Sequence, residues 1–239
     1  MQSSNRLISF GRKLRDFITA PRIPTTFFSK VRELSPTAAR FLQYGRYNIN
    51  TEGYWNKRYL AVDYDDGFYL PLRRELIKLV PPRTMVLDAG CGNGTFIELL
   101  KTEKNCNCVG LDISEVAISI VRRKGFEGIK CKLPTLPDTL IANSFDVCTI
   151  AETLEHISHP EKAIRALSRL IKVNGYIVVA VPDDCMRPEQ FDEHVCSFTF
   201  TSLHDVLSKY FTVDVAFRIE HEEQTHLVMR GKKHTNTDL

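Results

Sequence analysis

From residue 84 onward, short apolar runs alternate with amphipathic stretches. Met85 to Leu87 reads as a strand and Thr95 to Lys101 as a helix. Cys108 to Leu111 reads as a strand, followed by a helix from Glu115 to Arg123. Gly128 to Cys131 forms a short strand, Phe145 to Ala151 another, and a helix covers Pro160 to Ile171. The unbroken apolar run Tyr176 to Val181 has the length of a strand buried on both faces, and a helix follows over Leu203 to Lys209. Phe211 to Phe217 and Thr225 to Arg230 are two strands joined by the charged turn Glu220 to Glu223. Strand–helix alternation predicts an α/β, doubly wound, mostly parallel sheet. The final pair must be antiparallel, because its connection is too short for a crossover.

Upstream of residue 84 the pattern is less regular. Phe68 to Leu79 places Leu72, Leu76 and Leu79 on one helical stripe and is ended by Pro81 and Pro82. Tyr47 to Tyr59 is rich in aromatic and polar residues, and Pro21, Pro24 and Pro36 preclude long regular elements in the first forty residues. Near the start, Leu7, Phe10, Leu14, Phe17 and Ile18 recur at helical spacing, with Arg6, Arg12, Lys13 and Arg15 mostly on the opposite side. These patterns divide the chain into a basic N-terminal extension (1–46), a helical lid or cap (47–83), the α/β domain (84–233) and a tail (234–239).

Composition narrows this picture. The 239 residues, 43% hydrophobic and 26% charged, suit a soluble globular chain of one α/β domain with an appendage. The longest apolar runs have only strand length, so no membrane-spanning helix is expected. The net charge of +3 conceals an asymmetry. Residues 1–46 hold nine basic residues against Asp16 and Glu33, while the rest of the chain carries 23 basic and 27 acidic residues. Three readings of the basic segment stand open: a helix packed on the main domain, a peripheral contact of residues 1–35 with an anionic membrane, or an organellar presequence. A secretory signal is not expected, since no uninterrupted apolar stretch follows the basic residues. Seven cysteines without CxxC spacing read as reduced thiols in a cytoplasmic compartment.

The chemistry concentrates in Val86-Leu-Asp-Ala-Gly-Cys-Gly-Asn-Gly-Thr-Phe96, where a strand enters a glycine-rich turn and then a helix. Gly90, Gly92 and Gly94 permit positive φ and close approach of a ligand, and the helix start offers free N–H groups to an anion. The glycines fall as GxGxG, with Thr95 where a dinucleotide fingerprint needs a small residue, and Asp88 sits two residues before the first glycine. A second acid, Asp112, ends the next strand 22 residues after Gly90, where a ribose-binding carboxylate belongs. Its alternative role is to cap the following helix, but Ser114 serves that purpose equally well.

Asp88 to Gly94 together with Gly110-Leu-Asp-Ile-Ser114 resembles motif I and the following acidic loop of class I S-adenosylmethionine-dependent methyltransferases, a likeness covering about residues 84–230. The resemblance implies a seven-stranded Rossmann-like sheet with an antiparallel last strand. It also implies S-adenosyl-L-methionine as cofactor and S-adenosyl-L-homocysteine as product. Ala89, Gly90, Cys91, Gly92 and Gly94 would then bracket the methionine end, Ala151 would border it, and Asp88 would hold the turn and contact the amino group. Asp112 would bind the ribose. The acid that many relatives carry after the third strand is absent from Lys130 to Thr135, so Ile113 and Leu133 would hold adenine by apolar packing. Tyr54, Trp55 and Tyr59 match a segment that closes over the cofactor in relatives, or are ordinary packing.

The fourth strand runs into Glu152-Thr-Leu-Glu155-His156, which resembles the ExxEH segment of ubiquinone-biosynthesis O-methyltransferases. Spacing i, i+3, i+4 brings Glu152, Glu155 and His156 onto one face of a helical turn. They can organise the loop, supply His156 as a general base, or bind a divalent metal, which is not expected here. His194, in a segment that lines the acceptor pocket of similar enzymes, is a second base candidate or a surface histidine.

An Asn/Asp-Pro-Pro-Tyr segment is missing, so methylation of exocyclic base nitrogens is disfavoured, and no nucleic-acid recognition motif accompanies the basic charge. The expected function is methyl transfer to a small or medium acceptor, on a hydroxyl, with a membrane-associated quinone, lipid or glycan-type substrate admitted. The alternatives are a catalytically silent cofactor-binding scaffold docked at a membrane, an aminopropyl-transfer enzyme and a dehydrogenase. The basic extension makes one direct prediction. Deleting residues 1–35 should abolish sedimentation with anionic vesicles while leaving cofactor affinity intact; vesicle binding unchanged by the deletion would sink the membrane reading.

Overall fold

The computed structural model describes residues 25–46, 48–61, 69–183, 191–221 and 224–234. The apolar stripe predicted over residues 7–18 lies outside them. The chain divides into two compact units, Met1–Ile49 and Asn50–Leu239.

In the first unit, helices α1 (Thr25–Leu34) and α2 (Pro36–Tyr44) meet at Ser35. Pro36 opens α2, where its missing N–H matters least, and Ser35 Oγ accepts from the Ala38 N–H at 3.2 Å. Gly45, left-handed at φ 66°, ends α2 by returning its N–H to the Phe41 carbonyl.

The second unit begins with α3 (Glu52–Ala61) and α4 (Leu70–Lys78). Then follow β1 (Met85–Ala89), α5 (Thr95–Lys104), β2 (Asn107–Asp112), α6 (Glu115–Arg123), β3 (Glu127–Lys130) and β4 (Phe145–Ala151). A 3₁₀ turn (Leu154–His156) leads to α7 (Pro160–Leu170), β5 (Ile171–Pro182), α8 (Phe200–Ser208), β6 (Phe211–His221) and β7 (Gln224–Lys233). The seven strands lie in the order β3-β2-β1-β4-β5-β7-β6. Pairs from β3 through β5 are parallel, and β7 runs antiparallel to both β5 and β6.

Strand alternation divides the core into two layers. Leu87, Cys148, Ile150, Ile177, Val179, Leu227 and Met229 pack with Ile164 and Leu167 of α7 and Leu203 and Leu207 of α8. Their neighbours Val86, Val147, Val178, Ala180 and Val228 face the other way, onto Leu72 and Leu76 of α4 and Phe96 and Leu100 of α5. Burying each such side chain contributes about 1.5–3 kcal/mol.

Element boundaries differ from the sequence pattern for local reasons. The segment 47–59 gave no helical stripe, yet α3 forms there with no fully buried residue. β5 starts five residues early because Ile171 already pairs with Phe145 before a register shift, and Asn174 within it takes φ 63°. α8 starts at Phe200 rather than Leu203. Thr199 and Ser202 form a reciprocal capping box, Ser202 N–H donating to Thr199 Oγ1 at 3.2 Å and Thr199 N–H to Ser202 Oγ at 2.9 Å. Glu220 and His221, expected in the turn, still pair with Thr225 and Gln224 as strand residues.

Phe211, fully buried at the start of β6, fills the space beside Gly231, where an added Cβ would lie 2.7 Å from its own Cβ. Phe211→Ala should therefore destabilise the protein by about 3–5 kcal/mol in urea unfolding. A loss under about 1 kcal/mol would show that this hairpin is not part of the cooperative core.

Candidate active site

β1 pairs with β2 on one side and β4 on the other, so the chain order reverses at β1 and leaves a crevice beyond the strand C-termini. Gly90, Gly92 and Gly94 line its start with φ of 77°, 55° and 82°. The expected positive φ is present at all three, and packing adds a second reason for glycine at 90 and 92. A Cβ at Gly90 would lie 2.0 Å from Thr153 Oγ1, and one at Gly92 would lie 2.9 Å from the Tyr59 hydroxyl. The N–H groups of Gly90 and Cys91 both donate to the Leu111 carbonyl, at 2.7 and 2.9 Å.

Asp112 is nearly enclosed. Its Oδ2 accepts from the Gly92 N–H at 3.0 Å and its Oδ1 from the Ser114 N–H at 2.8 Å. Ser114 does cap α6, accepting from the Ala117 N–H at 3.2 Å. Asp112 therefore ties β2 to the glycine turn. Burial pushes its carboxyl up to about 6 against the lowering effect of the donated N–H groups. Asp88, also buried, accepts from Thr149 Oγ1 at 2.6 Å and so braces β1 against β4; burial raises it to about 6 as well. Ala89 is fully buried and Cys91 nearly so, its thiol raised by burial; Ile113, Leu133 and Ala151 are half-buried.

Helix α3 crosses this region. Asn56 Oδ1 accepts from Ser114 Oγ at 2.7 Å and from the Val116 N–H at 3.2 Å. Trp55 sets its indole edge-on to His156, with centroids 4.9 Å apart, and against Tyr54 at 5.4 Å, while the Arg58 guanidinium lies over the Trp55 ring. Trp55 Nε1–H donates to Asn50 Oδ1 at 3.2 Å, and Asn50 Nδ2 donates to the Glu193 carbonyl at 2.7 Å. Arg58 pairs with the Glu193 carboxylate at 3.1 Å.

Beyond β4 the structure corrects the expected convergence of Glu152, Glu155 and His156. Glu152 takes φ 49° and leaves helical geometry, and only Leu154–His156 form a 3₁₀ turn. Its Oε2 lies 3.3 Å from His226 Nε2 of β7 instead. The third partner of Glu155 and His156 is His194, and one ligand atom from each of the three lies within 4.8 Å of the others. His194 is buried, not a surface residue, with its ring centroid 4.9 Å from that of His156 and stacked at 5.2 Å on Phe191. The Glu155 carbonyl accepts from the Val195 N–H at 2.8 Å, which pins the 191–200 segment to the 3₁₀ turn.

His156 Nδ1 lies 3.0 Å from the Glu193 carbonyl, so the proton belongs on Nδ1 and the Nε2 lone pair faces Glu155 Oε1 at 3.6 Å. Burial, then His194, hold His156 down at about 3, so this contact is a neutral imidazole beside a carboxyl group. Burial first and the Glu152 charge second push Glu155 well above the ordinary carboxylate range, and its Oε2 has no hydrogen-bond partner. Two imidazole rings and a carboxyl group with one unsatisfied oxygen form a donor set that suits a divalent first-row ion. Spacing alone gave no sign of Asn50, Arg58, Glu193 or His226, which arrive from other elements.

A methyltransferase-domain family model matches residues 59–213, more than half of the chain. The ubiquinone biosynthesis O-methyltransferase of Bordetella avium is 32% identical over 115 residues, covering 45% of this chain and 47% of that protein. The tRNA (carboxymethyluridine(34)-5-O)-methyltransferase of Xenopus tropicalis is 30% identical over 99 residues, 41% of this chain and 15% of that protein. The chain thus spans about half the length of the ubiquinone-biosynthesis relatives it matches. Among solved structures, the Bradyrhizobium japonicum N-methyltransferase NodS in complex with S-adenosyl-L-homocysteine superposes with a TM-score of 0.65 at 19% identity, covering 77% of this chain and 98% of that one. The glycine turn, the two enclosed acids and the sheet order agree with that match: this chain belongs to the class I S-adenosylmethionine-dependent methyltransferases.

Proposed function

We propose that the protein transfers the methyl group of S-adenosylmethionine to a hydroxyl of a small or medium acceptor. The observation that carries this reading is the Glu155–His156–His194 cluster, set just past β4, where Thr153 packs on Gly90 of the cofactor turn. The O-methyltransferase names of the relatives support an oxygen acceptor. Methyl transfer from a sulfonium needs little beyond in-line positioning, whereas a hydroxyl must also lose its proton. Asp112 would accept from the ribose hydroxyls, Gly90 to Gly94 with Ala89, Cys91 and Ala151 would border the methionine portion, and Ile113 and Leu133 would pack on adenine.

The geometry favours a metal role for the cluster over a base role. A histidine as weakly basic as His156 is a poor proton acceptor, but its Nδ1–H···O=C bond orients Nε2 as metal-bound histidines are oriented. Glu155, His156 and His194 would hold a divalent ion, which would supply Lewis acidity to lower the hydroxyl's pKa. This departs from the sequence expectation of no metal. Presentation of the acceptor at a membrane surface, and a cytoplasmic location, remain part of this proposal through the basic extension.

Two predictions follow the two halves of the site. Affinity for S-adenosyl-L-homocysteine, by calorimetry, should fall as pH drops through about 6, because protonated Asp112 and Asp88 lose acceptor strength. Asp112→Asn should lower affinity at pH 7.5 at least tenfold, about 1.4 kcal/mol, and flatten the profile; pH-independent binding in the parent protein would contradict the assignment. Methyl transfer to a panel of phenols, catechols and nucleoside hydroxyls should be lost after chelation, return with Mn²⁺ or Zn²⁺, and fall at least a hundredfold in His194→Ala. Full activity in chelator with His194→Ala unimpaired would remove the metal reading, and transfer only to amines would remove the hydroxyl.

A further inference from the structure

β7 is apolar where it crosses the core, at Leu227, Val228 and Met229, but polar where it starts. Gln224 and His226 are buried at its first and third positions, on one side of the strand. Register places His226 beside Pro182 at the end of β5 and Ile219 of β6, and the Tyr69 ring approaches it edge-on at 6.5 Å. His226 is fully enclosed, and neither ring nitrogen makes an aligned hydrogen bond; Gln224 Oε1 and Glu152 Oε1 are likewise buried without a partner. Buried polar atoms are ordinarily satisfied, so this unmatched group points to a partner that completes it.

Glu152 connects this patch to the site. Its backbone N–H donates to the Ala180 carbonyl at 3.0 Å, holding the φ 49° bend that leaves Thr153 over Gly90. Its carboxylate is close enough to Glu155 to disfavour a second negative charge there. His226 Nε2 lies 3.3 Å from Glu152 Oε2, within ion-pair reach though not aligned. Hydrogen bonds at catalytic centres commonly tighten only when substrate is bound.

We propose that His226 is a positioning residue: by donating Nε2–H to Glu152 it aims that carboxylate at the methyl acceptor, and Glu152 Oε1 receives a hydrogen-bond donor of the acceptor. The inference rests on the hydroxyl-methylation reading for its substrate and on the β4–β7 geometry for its mechanism. The acceptor's donor completes Glu152 Oε1 while His226 holds Oε2.

The test uses the full chain and two readouts. In imidazole ¹⁵N NMR at fixed pH, Glu152→Gln should move the His226 Nε2 signal, because the carboxylate that faces it is replaced; an unchanged Nε2 signal would overturn the pairing. In turnover with catechol, His226→Ala should reduce kcat at least tenfold with homocysteine-product affinity within twofold of the parent. His226→Gln, which keeps an N–H donor, should restore most of it. The Glu152→Gln/His226→Ala double variant should be no worse than the poorer single one, since the two act as a unit. Multiplying losses, or failure of Gln to rescue, would overturn the positioning role. If the parent turns over no hydroxyl acceptor, the hydroxyl reading falls and the NMR result alone decides the pairing.

Discussion

The backbone reversal after β1 is the constraint on which the site depends. Three left-handed glycines within five residues bend the chain so tightly that two consecutive N–H groups, from Gly90 and Cys91, share one acceptor, the Leu111 carbonyl. This bond joins the turn to β2, and Asp112 reinforces it through Gly92. The vacated space is then used: Thr153 packs on Gly90, the Tyr59 hydroxyl on Gly92 and Val121 on Gly94. A side chain at Gly90 would displace Thr153, and with it the segment that carries Glu155 and His156.

Electrostatics follow from the same enclosure. Asp88, Asp112, Glu155 and His156 are withdrawn from water, and burial is the largest influence on each, raising the acids and lowering the histidine. Asp88 and Asp112 are compensated by hydrogen bonds, from Thr149 and from backbone N–H groups. Glu155 is less well compensated: its Oε2 has no partner and the Glu152 charge lies nearby. An edge so arranged favours a bound cation or a hydrogen-bond donor over an empty state. The sulfonium cofactor answers that requirement, as would the divalent ion and the hydroxyl acceptor proposed above.

Helix α3 joins the two halves. It caps α6 through Asn56 beside Asp112, and through Trp55 and Arg58 it bears on His156 and Glu193. Its aromatic residues were noticeable in the sequence, but with a weak apolar stripe and no fully buried position they gave no helical period to read.

What the sequence determined by itself were the features set by local geometry and period: the order of strands and helices from residue 84, the glycine turn, the acid at the end of β2 and the cap at Ser114. Those depend on contacts within a few residues, or on a periodicity that the sheet imposes on every strand. Tertiary structure decided which distant groups meet. Helical spacing grouped Glu152 with Glu155 and His156, but the bend at Glu152 turns it toward His226, 74 positions away in the chain, and puts His194 in its place. No spacing rule records that exchange, because β7 enters the sheet antiparallel beside β5 and brings its first residues to the end of β4 only once the whole sheet has closed.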